Sequence, residues 1–271
     1  MRPFFENNVL QQQPFKPMII VVDTTKAGSA SNTFVLPIVK AASEVVKIYW
    51  GDGTNSTGVT GNNTHVYAVG GIYTIEIESR LFGGIYFNNL GDKAKITKIA
   101  NYGQGVSRLN IGSFFGCSSL LSIDIGNIVS NGADATNQYR DCTALTTVPL
   151  LNLSSVTNAY AMFAYCAALT TVPLLNLSNC TSTRSMFFDC TSLTTIPLLD
   201  LSSVTDATNM FTGVTLTTQS YSDFLINLAT LPLQSGVSFH GGNSKYNPTA
   251  AIARAYLISN FGWTITDGGA A

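Results

Sequence analysis

The sequence predicts a mainly β chain in three parts: a small antiparallel β-sandwich, a short solenoid of 24-residue coils and an α/β C-terminal cap. Three observations predict this. Residues 18–79 hold short β-rich runs separated by Gly, Asn and Ser turns. Further on, one sentence is written three times, as DCTALTTVPLLNLSSVTNAYAMF, YCAALTTVPLLNLSNCTSTRSMF and DCTSLTTIPLLDLSSVTDATNMF. From residue 216 the texture changes, and helical spacing alternates with short strand-like runs. The expected boundaries are an N-terminal arm over 1–17, the sandwich and a bridge over 18–100, the solenoid over 101–215 and the cap over 216–271.

Composition agrees with a β-rich chain. Of 271 residues, 45% are hydrophobic and only 11% charged, against about a quarter charged in ordinary soluble domains. Thr, Ser, Asn and Gly supply the polarity instead, which suits strands with uncharged surfaces. The net charge is −1 and no basic run occurs, so the electrostatic footprint of a nucleic-acid binder is missing. No apolar run approaches the roughly 20 residues that span a bilayer.

The arm, MRPFFENNVLQQQPFKP, lacks the continuous apolar stretch of an export signal, so synthesis and folding in a cytoplasm are expected. Phe4, Phe5, Pro14, Phe15 and Pro17 make it too apolar for a plain linker. It is expected to lie as an extended arm on a neighbouring subunit, in the manner of strand addition. Behind it, MIIVVDTT, NTFVLPIV, VVKIYWGDGTNST and THVYAVGGIYTIEIES read as sandwich strands. Asp52 in GDGTN has two readings, a calcium ligand or a turn residue accepting local backbone N–H groups. The stretch has few carboxylates, which favours the turn.

The repeat keeps a strict register. Phe115, Tyr139, Phe163, Phe187 and Phe211 step by 24 residues, as do Pro149, Pro173 and Pro197, and Leu145, Leu169 and Leu193. A period of 20–29 residues with fixed leucines is the signature of a leucine-rich solenoid, whose coils share a core that none could bury alone. LTTVPLLNL is expected to be strand and turn, and the TNAYAMFAYC half a short helix or helical turn. The end repeats are degenerate: Val214 stands where a cysteine is due. Cys142, Cys166 and Cys190 keep the register, and with Cys117 and Cys180 they are expected to be buried as small hydrophobes. An odd count and the lack of close CxxC pairs speak against disulfides and zinc. The Thr pairs 146/147, 170/171 and 194/195 could form an array for ice or a polysaccharide. Neighbours on a strand face opposite ways, so only one Thr of each pair is expected to line a given surface, the other facing inward or packing at a corner. Tyr160, Tyr165 and Phe188 are the candidate exposed aromatics for glycan binding.

In the tail, SYSDFLINLAT has helical spacing, VSFHGGN reads as a strand, and NPTAAIARAYLISN as a helix with Asn247 as N-cap and Pro248 at its first position. GWTITDGG reads as a last strand, and the unit is expected to close the solenoid. Catalysis finds no foothold. The two histidines, His65 and His240, stand apart from any Cys, Asp or Glu cluster. There is no G-x-S-x-G elbow, P-loop or dinucleotide fingerprint. No enzyme, metal or cofactor is expected.

Two resemblances follow. WGDGT with HVYAVGGIYTIEI, through Trp50, Gly51, Asp52, Gly53, Thr54, His65, Tyr67, Gly71, Tyr73 and Thr74, resembles the polycystic-kidney-disease (PKD) domain, an immunoglobulin-like sandwich. Over about residues 107–215 the MF…C…L…P.L.LS.VT…MF pattern resembles the BspA-type leucine-rich repeat of bacterial surface and some bacteriophage proteins, and IYFNNLGDKAKITKI (85–99) looks like the bridge joining such a sandwich to the repeats. The resemblance implies a display or binding scaffold without catalytic residues. The expectation is a bacteriophage virion protein on the particle surface, as a capsid decoration, fibre or tail component. Its partners would be other virion proteins, its own copies, and a host cell-surface glycan or protein. The alternative is a bacterial adhesin or carbohydrate-binding module.

Overall fold

Period-two burial makes strands of the N-terminal runs. In β1 (Met18–Asp23), Met18, Ile20 and Val22 are buried while their neighbours are half-buried, and β2 (Thr33–Lys40) buries Phe34, Leu36 and Ile38. The computed structural model describes residues 16–40, 45–79, 82–102, 112–124 and 133–271; of the arm over 1–17, only Lys16 and Pro17 fall among them. After β2 come β3 (Lys47–Tyr49), β4 (Asn55–Thr57), β5 (Gly61–Val66), β6 (Ile72–Glu78) and β7 (Phe82–Ile85). Together with β8 (Ile96–Tyr102) and β9 (Ser122–Ile123) they form two sheets, ordered β4-β3-β6-β1-β8-β9 and β5-β2-β7. All pairs are antiparallel except β8 with β9. Both sheets feed one hydrophobic core, in which Trp50 and Tyr67 are fully buried. Among the described residues the chain is mainly β, with two α-helices and no closed barrel.

The first sheet does not stop at the repeats. The Leu121 and Asp124 N–H groups donate to the Thr97 and Ile99 carbonyls at 2.9 and 2.7 Å. Phe87, Asn88 and Asn89 likewise donate to Ser113, Gly112 and Phe115 at 3.0, 3.1 and 2.9 Å. Residues 87–99 are thus the zeroth layer of the stack, and β8 belongs at once to the sheet and to the coils.

Within the coils the two halves exchange the roles expected of them. LTTVPLLNL contains no strand among the described residues, only isolated bridges: Thr147 with Thr171, and one at Asn152. The repeated Pro removes an amide from each rung, which explains the thin ladder. The half expected to be helical is instead a ribbon of turns. In one coil the N–H groups of Ala159, Ala161, Phe163 and Tyr165 donate to Ser182, Arg184, Met186 and Phe188 of the next, at 2.9, 3.0, 3.0 and 2.7 Å. The intervening Met162, Ala164 and Cys166 donate back within the coil to Ala159, Ala161 and Phe163, at 3.2, 3.2 and 3.1 Å. Alternate amides therefore point along and across the stack, which a helix cannot do. The geometry needs a left-handed residue at each second inter-coil donor: Asn137 and Asp141, Ala161 and Tyr165, and Ser185 and Asp189 all have positive φ, as do Asn209 and Gly213 at the same places in the last coil. Parallel bridges from Asp134 to Asn158, Ser182 and Asp206 fix the 24-residue step.

This register builds columns of identical side chains. Phe114, Tyr139, Phe163, Phe187 and Phe211 stack with centroids 5.9, 5.6, 5.7 and 5.4 Å apart and planes within 7°. Phe114 takes the place expected for Phe115, because the step from this coil to the next is one residue longer. Phe115 lies half-buried under the Arg140 guanidinium at 5.3 Å. All five cysteines are buried and free of disulfides. Cys142, Cys166 and Cys190 donate their Sγ–H to the Phe114, Tyr139 and Phe163 carbonyls at 3.3, 3.1 and 3.1 Å. Val214 is buried at the same place.

The tail extends the stack. Helix α1 (Thr218–Leu228) and helix α2 (Pro248–Phe261) each replace the LTTVPLL side of a coil, while β10 (Ser238–His240) and β11 (Thr264–Thr266) replace the ribbon. Ala207 bridges Phe239, and Phe239 pairs with Ile265, all parallel. Asn247 caps α2 through its side-chain oxygen, which accepts the Ala250 N–H at 2.9 Å, and Pro248 follows at the first position. Gly262, left-handed at φ 65°, ends it.

Candidate functional site

The most regular exposed feature is a face built from the LTTVPLL strips. Leu145, Val148, Leu151 and Leu153 point into the core, and the turn around Pro149 throws Leu150 outward. Leu150, Leu174 and Leu198 recur at this place and are 62, 59 and 51% exposed. Both threonines of every pair are exposed as well, so neither faces inward. The strip is not a strand at this point, so the alternation of side-chain directions does not apply. The coils are tied here by Thr170 N–H to the Thr146 carbonyl, 3.0 Å, and Thr217 N–H to the Thr194 carbonyl, 2.9 Å. Across residues 143–152, 167–176 and 191–200 the only charged residue is Asp200. Covering one such leucine is worth about 1 kcal/mol.

At one end the face runs against helix α1. Thr217 caps that helix by accepting the Ser220 N–H, and the Ser220 hydroxyl accepts the Ile196 N–H at 3.0 Å, which pins the helix to the last coil. Between them lies an open groove of about 590 Å³, with Thr195, Pro197 and Leu198 on one wall and Gln219, Asp223 and Asn227 on the other. The last three sit at i, i+4 and i+8 and so share one stripe of the helix. Gln219 donates to one oxygen of Asp223 at 2.8 Å, and Asn227 donates to the Leu199 carbonyl at 3.4 Å. Sequence reasoning missed this stripe. The polar spacing in TQSYSDFLINL was its one visible signal, and it does not reveal what the helix faces.

The residues singled out from sequence are spread elsewhere. Phe4, Phe5, Pro14 and Phe15 lie outside the described residues, and Pro17 is half-buried just before β1. Tyr165 and Phe188 meet with centroids 5.3 Å apart on the ribbon edge, where Arg140 also lies 5.2 Å over Tyr165. Tyr160 is half-buried on the same ribbon. Tyr165 and Phe188 pack on each other away from the leucine column.

Asp52 closes its own turn. Its Oδ1 accepts Thr54 N–H and Oγ–H at 3.0 and 2.6 Å, and its Oδ2 meets His65 Nε2 at 2.7 Å. Desolvation pushes this carboxyl up, but the hydrogen bonds from Thr54 and His65 outweigh it and hold the group at about 2. His65 stacks on Trp50 at 4.7 Å. Both carboxylate oxygens therefore have fold-closing partners. His240 Nδ1 accepts the Gly242 N–H at 3.0 Å, a local loop bond. In the tail, Tyr221 O–H and Arg254 Nε share Asp267 Oδ2 at 3.0 and 2.8 Å, and the guanidinium also reaches the Ile265 carbonyl at 3.0 Å. Burial, chiefly, and the Asp267 charge raise the Tyr221 hydroxyl, so it acts as a donor that locks α1 to the end of the chain. Among the described residues no group of three or more His, Cys, Asp or Glu could hold a metal ion, and no helix is long and apolar enough to cross a membrane.

Comparison with known proteins follows the repeat. A family model described as "Mycoplasma protein of unknown function, DUF285" matches residues 114–224, less than half of the chain, from the Phe114 coil into α1. No curated protein and no solved structure matches. The described chain is thus mainly β, and the stretch running from Phe114 to Phe224 is similar to that family.

Proposed function

We propose that this chain is a non-catalytic display module on the outside of a bacteriophage particle, in a capsid decoration, fibre or tail. In this reading its N-terminal sheets are an immunoglobulin-like sandwich of the PKD type and its coils a leucine-rich-repeat solenoid. The observation that carries the display reading is the uncharged face on which threonine pairs and leucines recur in register. The core columns do not require an outward leucine in every coil, yet Leu150, Leu174 and Leu198 keep it. Repeat architectures characteristically present such a surface to a partner. Placement on a virion rests on the resemblance of the two-part architecture to bacteriophage surface proteins.

The second reading, a bacterial cell-surface adhesin, is favoured by one observation: the family similar to the repeats is described as a Mycoplasma protein. Mass spectrometry of purified particles from the source sample, with imaging to place the chain, separates the two. Stoichiometric presence in particles is the expected result. Recovery from host cell envelopes alone replaces the virion reading with the adhesin.

A further inference from the structure

We infer that the groove between the last coil and helix α1 binds an uncharged glycan, which lies on along the Leu198, Leu174 and Leu150 column. The inference rests on the display reading above and names the partner chemistry of that face. Size comes first. The groove, about 590 Å³, falls within the range of small-ligand sites, about 300–1,000 Å³. The face beyond it is three coils deep and some six residues long, on the order of 15 by 20 Å at ordinary strand spacings. That is roughly 300 Å², well short of the about 800 Å² per partner that a stable globular complex buries. A narrow, extended ligand fits, and a folded protein does not.

The backbone of the groove then decides between a peptide and a glycan. An extended peptide would bind by adding to free main-chain groups. Here Ile196 N–H goes to Ser220 Oγ at 3.0 Å, and Pro197 has no N–H. The Pro197 carbonyl accepts Leu199 N–H at 2.9 Å, and the Leu199 carbonyl accepts Asn227. The strip's remaining main-chain groups, at Thr195 and Leu198, stand on either side of Ile196 and Pro197 and offer no continuous ladder, so recognition falls mainly to side chains. Gln219 and Asp223 offer an amide and a carboxylate side by side, the second Asp223 oxygen being free among the described residues. That pair suits neighbouring sugar hydroxyls, which both donate and accept. Pro197 and Leu198 offer apolar surface for the C–H face of a ring. With one carboxylate and no cation lining the groove, uronates, sialic acids and phosphorylated glycans are repelled, so the ligand is uncharged.

The test is an array carrying uncharged and acidic glycans probed with the full chain, followed by calorimetry of the free oligosaccharide that binds best. Two variants, Asp223→Ala and Leu198→Ala, alter exposed side chains, and thermal melts confirm that they fold. The expected result is retention of uncharged glycans only, with affinity falling about tenfold or more in Asp223→Ala, as for a lost charge-assisted hydrogen bond. Leu198→Ala should fall severalfold. Failure to bind any uncharged glycan, equal binding of acidic ones, or unchanged affinity in Asp223→Ala overturns the inference. If particles contain the chain and no glycan binds, the groove assignment fails and the display reading stands. If uncharged glycans bind and the chain is absent from particles and envelopes, the reverse holds.

Discussion

Thr183 stands in a column otherwise made of alanine: Ala135, Ala159 and Ala207 occupy the same place in the neighbouring coils, and all four are buried. Its hydroxyl finds no hydrogen-bond partner. A buried hydroxyl left unsatisfied costs about 1–3 kcal/mol, and the repeat offers no reason for it. Thr183→Val, which keeps the shape and removes the hydroxyl, is therefore expected to stabilise the chain by about 1 kcal/mol. Denaturant unfolding of the two proteins checks this, and a lower midpoint for the variant contradicts the burial argument. Asp52 illustrates the opposite case at the same scale, since every hydrogen bond it makes repays part of its desolvation.

Among elements, the ribbon of turns is the one that sets the architecture. Each left-handed non-glycine residue costs on the order of 1 kcal/mol, and the coils with Asn137 and Asp141, Ala161 and Tyr165, and Ser185 and Asp189 carry two each. The inter-coil amide bonds offset that cost, so a coil in isolation has no reason to hold this shape. Gly213 marks where the tolerance ends. Its φ is +81°, and a Cβ there would stand 1.9 Å from Asp189 Oδ1. Gly213→Ala should destabilise by about 2 kcal/mol or more, from the clash together with the strained φ. Adding Asp189→Gly removes the clashing carboxylate and should recover part of the loss, leaving the φ strain of about 1 kcal/mol. Thermal melts of the single and double variants measure this coupling, and strict additivity refutes the clash.

At the scale of the molecule, the joint between sheets and coils depends on a buried ion pair. Lys95 is fully buried, and its Nζ donates to the Ser29, Ala30 and Thr33 carbonyls at 3.0, 2.9 and 2.7 Å, with Asp92 Oδ2 at 3.9 Å. Asp92 in turn accepts the Ser29 and Val35 N–H groups at 2.6 and 2.7 Å. The pair thus ties the β1–β2 loop to the zeroth layer of the stack. Removing the lysine leaves the buried Asp92 carboxylate without its counter-ion and three carbonyls without their donor, at a cost of about 3–5 kcal/mol. Lys95→Met should lower stability by about 3 kcal/mol in denaturant unfolding; a change under about 1 kcal/mol would mean that the joint rests on its backbone hydrogen bonds, those of β8 with β9 and of Phe87, Asn88 and Asn89 with the first coil.

The sequence by itself determined the 24-residue step, the columns of Leu, Phe and Cys, the burial alternation of β1 and β2, and the Asn247–Pro248 start of α2. Each of these follows from side chains that recur or cap within a few residues of chain, where spacing maps directly onto space. Only the tertiary structure decided which half of a coil carries the ladder, because that depends on amides pairing with carbonyls of the next coil and on left-handed residues as ordinary as Ala161 and Tyr165. It also decided that Phe114 and not Phe115 joins the ring stack, and that both threonines of each pair face outward. The groove and the Lys95 cage were illegible for the same reason. Lys95 meets its carbonyl partners across 62 to 66 residues of chain, and Gln219 and Asp223 acquire an opposite wall only when α1 packs on a coil that ends some twenty residues earlier. Local patterns record what a residue does to its neighbours in sequence; contacts between distant segments exist only once the backbone has closed them.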